Sequence, residues 1–314
     1  MIVFGPVPSR RLGRSLGVNN IPPKICSYSC IYCQLGRTLK MQIDREEFYK
    51  PVEIYRGVEE KIKDLENRIE NIDYITFVPD GEPTLDINLG GEIKLLKSIG
   101  VRIAVITNSS LIWREDVQRD LLETDLVSLK IDTVDGEIWR KINRPHPNLD
   151  IEDILDGIYR FNRRFKGIVY TETMLIDGVN DNDDILRGTA DFISKLSIDK
   201  SYISIPIRPP AEIEVDIPRE ENLNKAYNIF RERDIQVEYL IGYEGNEFTS
   251  TGDIKEDILS ITSVHPIRED GMRELIRKRD GKWDVIEKLI EEGEIKEVVY
   301  RDKKFYIRNL QKRW

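Results

Sequence analysis

Between residues 15 and 241, short runs rich in β-branched residues alternate with amphipathic stretches of helical period. No other feature restricts the possible folds as strongly. The strand candidates are SLGVNNI (15–21), DYITFV (73–78), VRIAVIT (101–107), LVSLKID (126–132), IVYTETMLI (168–176) and SYISIPI (201–207). A further run, IQVEYLI (235–241), follows the last amphipathic stretch. Between them, Ile54, Val58, Ile62, Leu65 and Ile69 fall on one helical face, and 150–165, 183–196 and 219–233 show the same period. Six strand-then-helix units imply right-handed crossovers and a parallel sheet. Their number favours an α/β partial (β/α)6 barrel over a full eight-stranded one. In such a fold the chemistry belongs to the loops at the C-terminal ends of the strands.

From about residue 251 the pattern changes to helices, then IKEVVY, a polar turn RDKK, and FYIRN. Three helices and a hairpin are the winged-helix layout. The sequence therefore divides into a barrel, 1–250, and a small winged-helix-like domain, 251–314, with Gly242, Gly245 and Gly252 loosening the chain between them. Arg273, Arg277, Lys278, Arg279 and Lys282 beside Trp283 suit RNA or DNA. The competing reading is a module that packs on the barrel or on a protein partner, with Trp283 and Phe305 in its core.

The charge balance separates these uses. The whole chain carries a net charge of −9, which argues against a protein that coats nucleic acid nonspecifically. Residues 1–43 nevertheless contain no acid, while carrying Arg10, Arg11, Arg14, Lys24, Arg37 and Lys40. This cationic stretch suits an anionic cofactor or substrate. No run of eighteen apolar residues and no secretory leader is visible, so the expected setting is the cytoplasm, without a membrane span.

The same stretch holds all three cysteines, Cys26, Cys30 and Cys33. Clustered thiols of odd number do not make a disulfide framework. One face of a buried helix is a poor alternative, because Pro22 and Pro23 precede the cluster and Gly36 follows it. A structural zinc needs a fourth ligand, and the histidines, His146 and His265, are far away in sequence. An iron–sulfur cluster accounts best for the set. Such clusters ordinarily take four thiolates, and three leave one iron open to a small molecule.

CSYSCIYC, with Tyr32 just before its last cysteine, resembles the signature of the radical S-adenosylmethionine (radical SAM) superfamily. The likeness extends over most of the first 240 residues and includes the order of βα units and DGEPTL after the second strand. VFGPVPSRRLGRSLGVNN and LKIDTVDGEIWRKINRPHP look like the branch of tRNA wyosine-base synthases and their uncharacterised relatives. The resemblance implies a [4Fe–4S] cluster on Cys26, Cys30 and Cys33, whose open iron holds S-adenosylmethionine. Reductive cleavage would then give a 5′-deoxyadenosyl radical that takes a hydrogen atom from a substrate. It further implies that Tyr32 meets the adenine and that Gly81, Glu82 and Pro83 receive the ammonium group. Asp80 stands where the family has its first glycine. Asn108, with Thr107 and Ser109, and then Ser128, Lys130, Asp132 and Arg208 are candidates for further contacts. Lys130, Arg144 and Arg208 are candidates for an anion-holding rim, whereas His146 reads as a loop residue.

No cysteine remains for the second cluster that wyosine synthases use, so a single-cluster enzyme is the expectation. Its electron donor would be a ferredoxin or flavodoxin, and its substrate a tRNA or another macromolecule. The alternatives are a redox-sensing nucleic-acid-binding regulator and a glycyl-radical-enzyme activase.

Overall fold

A computed structural model describes residues 2–66, 71–241, 254–264, 266–277 and 281–309. One sheet dominates it. Its members are β1 (Val3–Ser9), β2 (Gly13–Val18), β5 (Tyr74–Phe77), β6 (Arg102–Thr107), β7 (Leu126–Lys130), β8 (Ile168–Met174), β9 (Lys200–Ser204) and β10 (Val237–Leu240), side by side in that order. Two short strands in the loop after β2, β3 (Ile25–Cys26) and β4 (Lys40–Met41), pair with each other. From β2 onward every neighbour in the large sheet is parallel; β1 alone runs antiparallel. The result is the expected partial barrel, an α/β half-barrel.

The crossovers are helical. They comprise α1 (Pro51–Glu66), α2 (Leu89–Leu96), α3 (Glu115–Leu121), α4 (Gly136–Asn143), α5 (Ile151–Arg164), α6 (Asp183–Ile193) and α7 (Glu220–Arg231). Asp135 and Asp150 cap α4 and α5 by accepting backbone N–H bonds of their first turns, and Asn182 does the same for α6. Ile54, Val58 and Leu65 are buried as their spacing requires, whereas Ile69 lies outside the described residues.

The sequence reading overlooks β1 because Pro6 and Pro8 interrupt it. Both are tolerated because β1 is the edge strand, where a missing N–H breaks no interior ladder. Phe4 lies over Gly17 so closely that a Cβ there would sit 2.0 Å from its ring.

Strand alternation sorts the two faces of the sheet. Ile75, Phe77, Ile103, Val105, Val127 and Leu129 point outward into the main core with the helices. Tyr74, Ala104 and Leu126 point inward and pack on Leu12, from the turn between β1 and β2. That turn fills the interior at the N-terminal ends of the strands.

Two acids are buried in the main unit beside the loop after β5. Glu92 faces Asp86, and burial first, then the Asp86 charge, push the Glu92 pKa up to about 9. An acid with a raised folded pKa holds more protons in the native state than in the unfolded chain. Native stability is therefore lost as pH rises from about 4.5 toward 9. Glu92→Gln keeps the size and the contact, and is expected to flatten that decline. Thermal unfolding of both proteins at about pH 6 and about pH 9 checks it, and parallel declines would refute it.

Beyond 253 the chain forms α8 (Ile254–Val264), β11 (Ile267–Arg268), α9 (Glu269–Arg277), α10 (Asp284–Glu291), β12 (Ile295–Tyr300) and β13 (Lys303–Arg308). β13 lies between β11 and β12. The expected turn is shorter than RDKK: Arg301 and Asp302 alone connect the strands, both at positive φ, as a two-residue hairpin requires. These elements have their own apolar cluster around Ile258, Met272, Leu275, Ile286, Leu289 and Tyr306, and Trp283 packs against it. Phe305 is buried as well, which favours the core reading for both aromatics. The expected boundary near 250, with Gly242, Gly245 and Gly252, lies outside the described residues, as do His265, Lys278 and Arg279.

Candidate metal and cofactor centre

The cysteine loop follows β2 and is held from two sides. On one side, Lys24 N–H donates to the Asp80 carbonyl at 2.6 Å, and Glu82 N–H donates to the Ile25 carbonyl at 3.2 Å. Only glycine fits at 81, where a Cβ would lie 2.0 Å from the Ile25 oxygen. On the other side, the loop uses carbonyls that the end of α4 leaves unpaired. Ser29 N–H donates to Asn143 O at 3.0 Å and Ile31 N–H to Ile142 O at 2.9 Å, while Ser27 O accepts from His146 N–H at 2.9 Å. Trp139 Nε1 donates to the Tyr28 hydroxyl at 3.1 Å and completes the seam. His146 is a loop residue, as expected; its Nδ1 accepts from Asn148 N–H.

Cys26, Cys30 and Cys33 line one cavity of about 100 Å³, together with Lys24, Asp80 and Gly81. Among the described residues no three His, Cys, Asp or Glu side chains converge closely enough for a single metal ion. The thiols thus surround a space rather than a point. Burial pushes all three thiols up, Cys30 to about 12. Opposing it are the Tyr28 amide at Cys26, the Asn143 side-chain amide at Cys30, and the Leu35 and Gly36 amides at Cys33; Asn108 Nδ2 lies 3.4 Å from Cys26 and Asn143 Nδ2 3.4 Å from Cys30. Such a basket suits thiolates once iron supplies the compensating charge, and the residues fit a [4Fe–4S] cluster. Asp80, whose pKa burial raises to about 7, lies on the same cavity wall.

Glu82 is buried and its carboxylate is fully engaged. Thr84 and Thr107 donate their hydroxyls to it at 2.6 and 2.7 Å, and Asn108 its backbone N–H at 2.7 Å. It ties the ends of β5 and β6 together, and Pro83 continues into a buried single turn, Pro83–Leu85. Ser109 takes the positive φ that turns the chain back after β6.

The second cavity, of about 280 Å³, lies inside the half-barrel and shares Cys33 and Leu35 with the first. Arg10, Arg11, Lys130 and Arg208 line it, with Glu172 as its one acid among the described residues. Glu172 bonds Arg11 and, at 2.7 Å, Lys130. Against the effect of burial, these two cations hold its carboxyl down at about 2. Tyr32 gives its hydroxyl proton to Asp132 at 2.5 Å, and the Lys130 ammonium sits 5.0 Å from the Tyr32 ring centroid. Ser128 is on the same inward row, buried below Lys130.

The structure therefore brings Tyr32, Lys130, Asp132 and Arg208 to the centre, but not Arg144. Its αL conformation ends α4 and turns its side chain to Glu212, at 2.5 Å, which also pairs with Arg37. Asn143 and Glu172 are missed by sequence reasoning. Glu172 had a signal, as the one charged residue in the run IVYTETMLI.

Residues 20–187, more than half of the chain, match the family described as the Radical SAM superfamily, and the chain belongs to it. It is 49% identical over 314 residues to a UPF0026 protein of Methanocaldococcus jannaschii, covering 99% of this chain and 97% of that one. Among solved structures it is similar to a radical SAM methyltransferase from Sphaerobacter thermophilus (TM-score 0.58, 17% identity, 72% of this chain and 66% of that chain). It is also similar to TYW1 with a lysine–pyruvate adduct bound (TM-score 0.51, 16% identity, 70% and 73%). At these identities the two structures speak for the half-barrel fold alone. The chain is a radical SAM enzyme, and the cofactors of the superfamily are a [4Fe–4S] cluster and S-adenosylmethionine. No helix among the described residues is long and apolar enough to cross a membrane.

Proposed function

We propose that Cys26, Cys30 and Cys33 hold the cluster, and that the enzyme cleaves S-adenosylmethionine to take a hydrogen atom from an anionic substrate admitted to the half-barrel. The observation that carries this is the junction of the two cavities at Cys33 and Leu35, one lined by three thiols and the other, among the described residues, by four cations and one acid. When bound, the reduced cluster supplies the electron that splits S-adenosylmethionine into methionine and a 5′-deoxyadenosyl radical. The chain's own part is to bind, orient and keep water out. Tyr32 is fixed through Asp132, and Glu172 keeps Lys130 charged and holds both Lys130 and Arg11 in place on the cavity wall. The electron comes from a cytoplasmic donor such as ferredoxin or flavodoxin.

The substrate we favour is a tRNA. The hairpin of the C-terminal elements, which we read as a winged-helix-like domain, stands beside the cavity wall. Tyr300 donates its hydroxyl to the Pro206 carbonyl at 2.8 Å, and Arg301 pairs with Asp216. Pro206 itself lines the cavity.

The test is anaerobic reconstitution with iron and sulfide, then dithionite and S-adenosylmethionine, with and without bulk tRNA. The expected result is 5′-deoxyadenosine, formed faster with tRNA. A protein that takes up zinc but neither iron nor S-adenosylmethionine would sink the proposal. Cluster-dependent DNA affinity without turnover would instead favour a redox-sensing regulator.

A further inference from the structure

We infer that Asn108 and Asn143 set the reduction potential of the cluster by donating side-chain N–H bonds to two of its cysteine ligands. This rests on the reading that Cys26, Cys30 and Cys33 hold the cluster. Both bonds are 3.4 Å from Nδ2 to sulfur.

The direction of each amide is decided by a partner of unambiguous chemistry. Asn108 Oδ1 accepts from the Ser110 N–H at 2.9 Å, so its nitrogen must be the atom that faces Cys26. The same nitrogen reaches the Ser27 hydroxyl at 3.0 Å, which leaves one N–H for each. Asn143 Nδ2 lies 2.8 Å from Asp132 Oδ2. A carboxylate only accepts, so the amide nitrogen faces it, and the second N–H is shared between Cys30 and the Tyr32 hydroxyl oxygen, each at 3.4 Å. The Tyr32 hydroxyl is not a competing donor to Cys30, because it gives its single proton to Asp132 at 2.5 Å.

An N–H dipole aimed at a ligand sulfur stabilises added negative charge, and reduction adds an electron to the cluster. Each bond therefore moves the midpoint upward. Cys33 receives the Leu35 and Gly36 amides and Cys26 that of Tyr28, and these backbone donors substitution cannot remove. The two asparagines are therefore positioning residues through which the side-chain sequence adjusts the cluster.

The experiment compares wild type with Asn108→Leu, Asn143→Leu and the double variant, which keep similar volume and lose the donors. Asn143→His, which retains a ring N–H, serves as the rescue. Each protein is reconstituted anaerobically without S-adenosylmethionine. Iron per chain, the midpoint by EPR-monitored titration and the Fe–S stretching bands in H₂O and D₂O are then measured. We expect full iron, a midpoint shifted to more negative potential in each leucine variant and further in the double, a smaller shift in the histidine variant, and loss of part of the solvent-isotope shift. Fully loaded variants with wild-type midpoints and bands would overturn the inference while leaving the cluster assignment intact. A leucine variant that folds but loses iron, while the histidine variant keeps it, would assign the asparagine to assembly and also overturn it. A wild type that takes up no cluster would overturn both. Asn108 follows β6 and Asn143 ends α4, so if one leucine variant fails to fold, the other decides.

Discussion

Cys30→Ala is expected to abolish 5′-deoxyadenosine formation and to drop iron below one cluster per chain while the fold survives. Cys30 is the middle thiol of the loop and sits where the Asn143 amide donates to it. Its neighbours Ser29 and Ile31 are anchored to α4 by backbone bonds that the substitution leaves alone. Losing one half-buried sulfur atom costs about 1 kcal/mol, small against the stability of a domain. Losing a ligand removes a third of the thiolates available, and this chain has no other cysteine to recruit. Circular dichroism should therefore be unchanged, with iron content and turnover at background. A variant that still loads four irons and turns over would refute the ligand assignment.

Gly81→Ala is expected to do damage of the opposite kind, reaching the cluster through the backbone. The added Cβ would fall 2.0 Å from the Ile25 carbonyl oxygen and 2.8 Å from Ile21 Cδ1. The oxygen cannot swing away as a side chain does, because it accepts the Glu82 N–H and its residue immediately precedes Cys26. The φ of Gly81 is not positive, so the cost is steric. Overpacking against fixed backbone lies at the upper end of such effects, about 3 kcal/mol. Relief must come from moving the cysteine loop away from the end of β5, or Glu82 away from Thr107 and Asn108. The expected outcome is a lowered Tm together with incomplete iron loading. Wild-type Tm and full loading in the variant would show that the loop is not seated on Gly81.

The two predictions draw on residues of different legibility. Cys30 is visible as one of three thiols in eight residues, because ligand spacing within a loop is a local property. Gly81 is visible through the resemblance of its tetrapeptide, yet the reason it must be glycine, the carbonyl of Ile25, lies 56 positions earlier in the chain. Arg144 shows the converse. Its charge and position beside the loop suggested the anion rim, and the left-handed cap of α4 directs it elsewhere. β1 was hidden by its prolines, which exclude an interior strand but not an edge one.

The order of the parallel strands and their helices, their buried faces, the acid-free cationic start and the spacing of the three thiols follow from local patterns. Periods of two and of 3.6 residues decide which side chains turn inward before any long-range contact forms. The centre of the half-barrel does not. Arg11 meets Glu172 across 161 positions, Asn143 meets Cys30 across 113, and Trp139 meets Tyr28 across 111. Nothing periodic connects such pairs. They become neighbours only when the sheet curves and the end of α4 offers its free carbonyls to the cysteine loop, and the direction of each amide there is then dictated by the partner it finds.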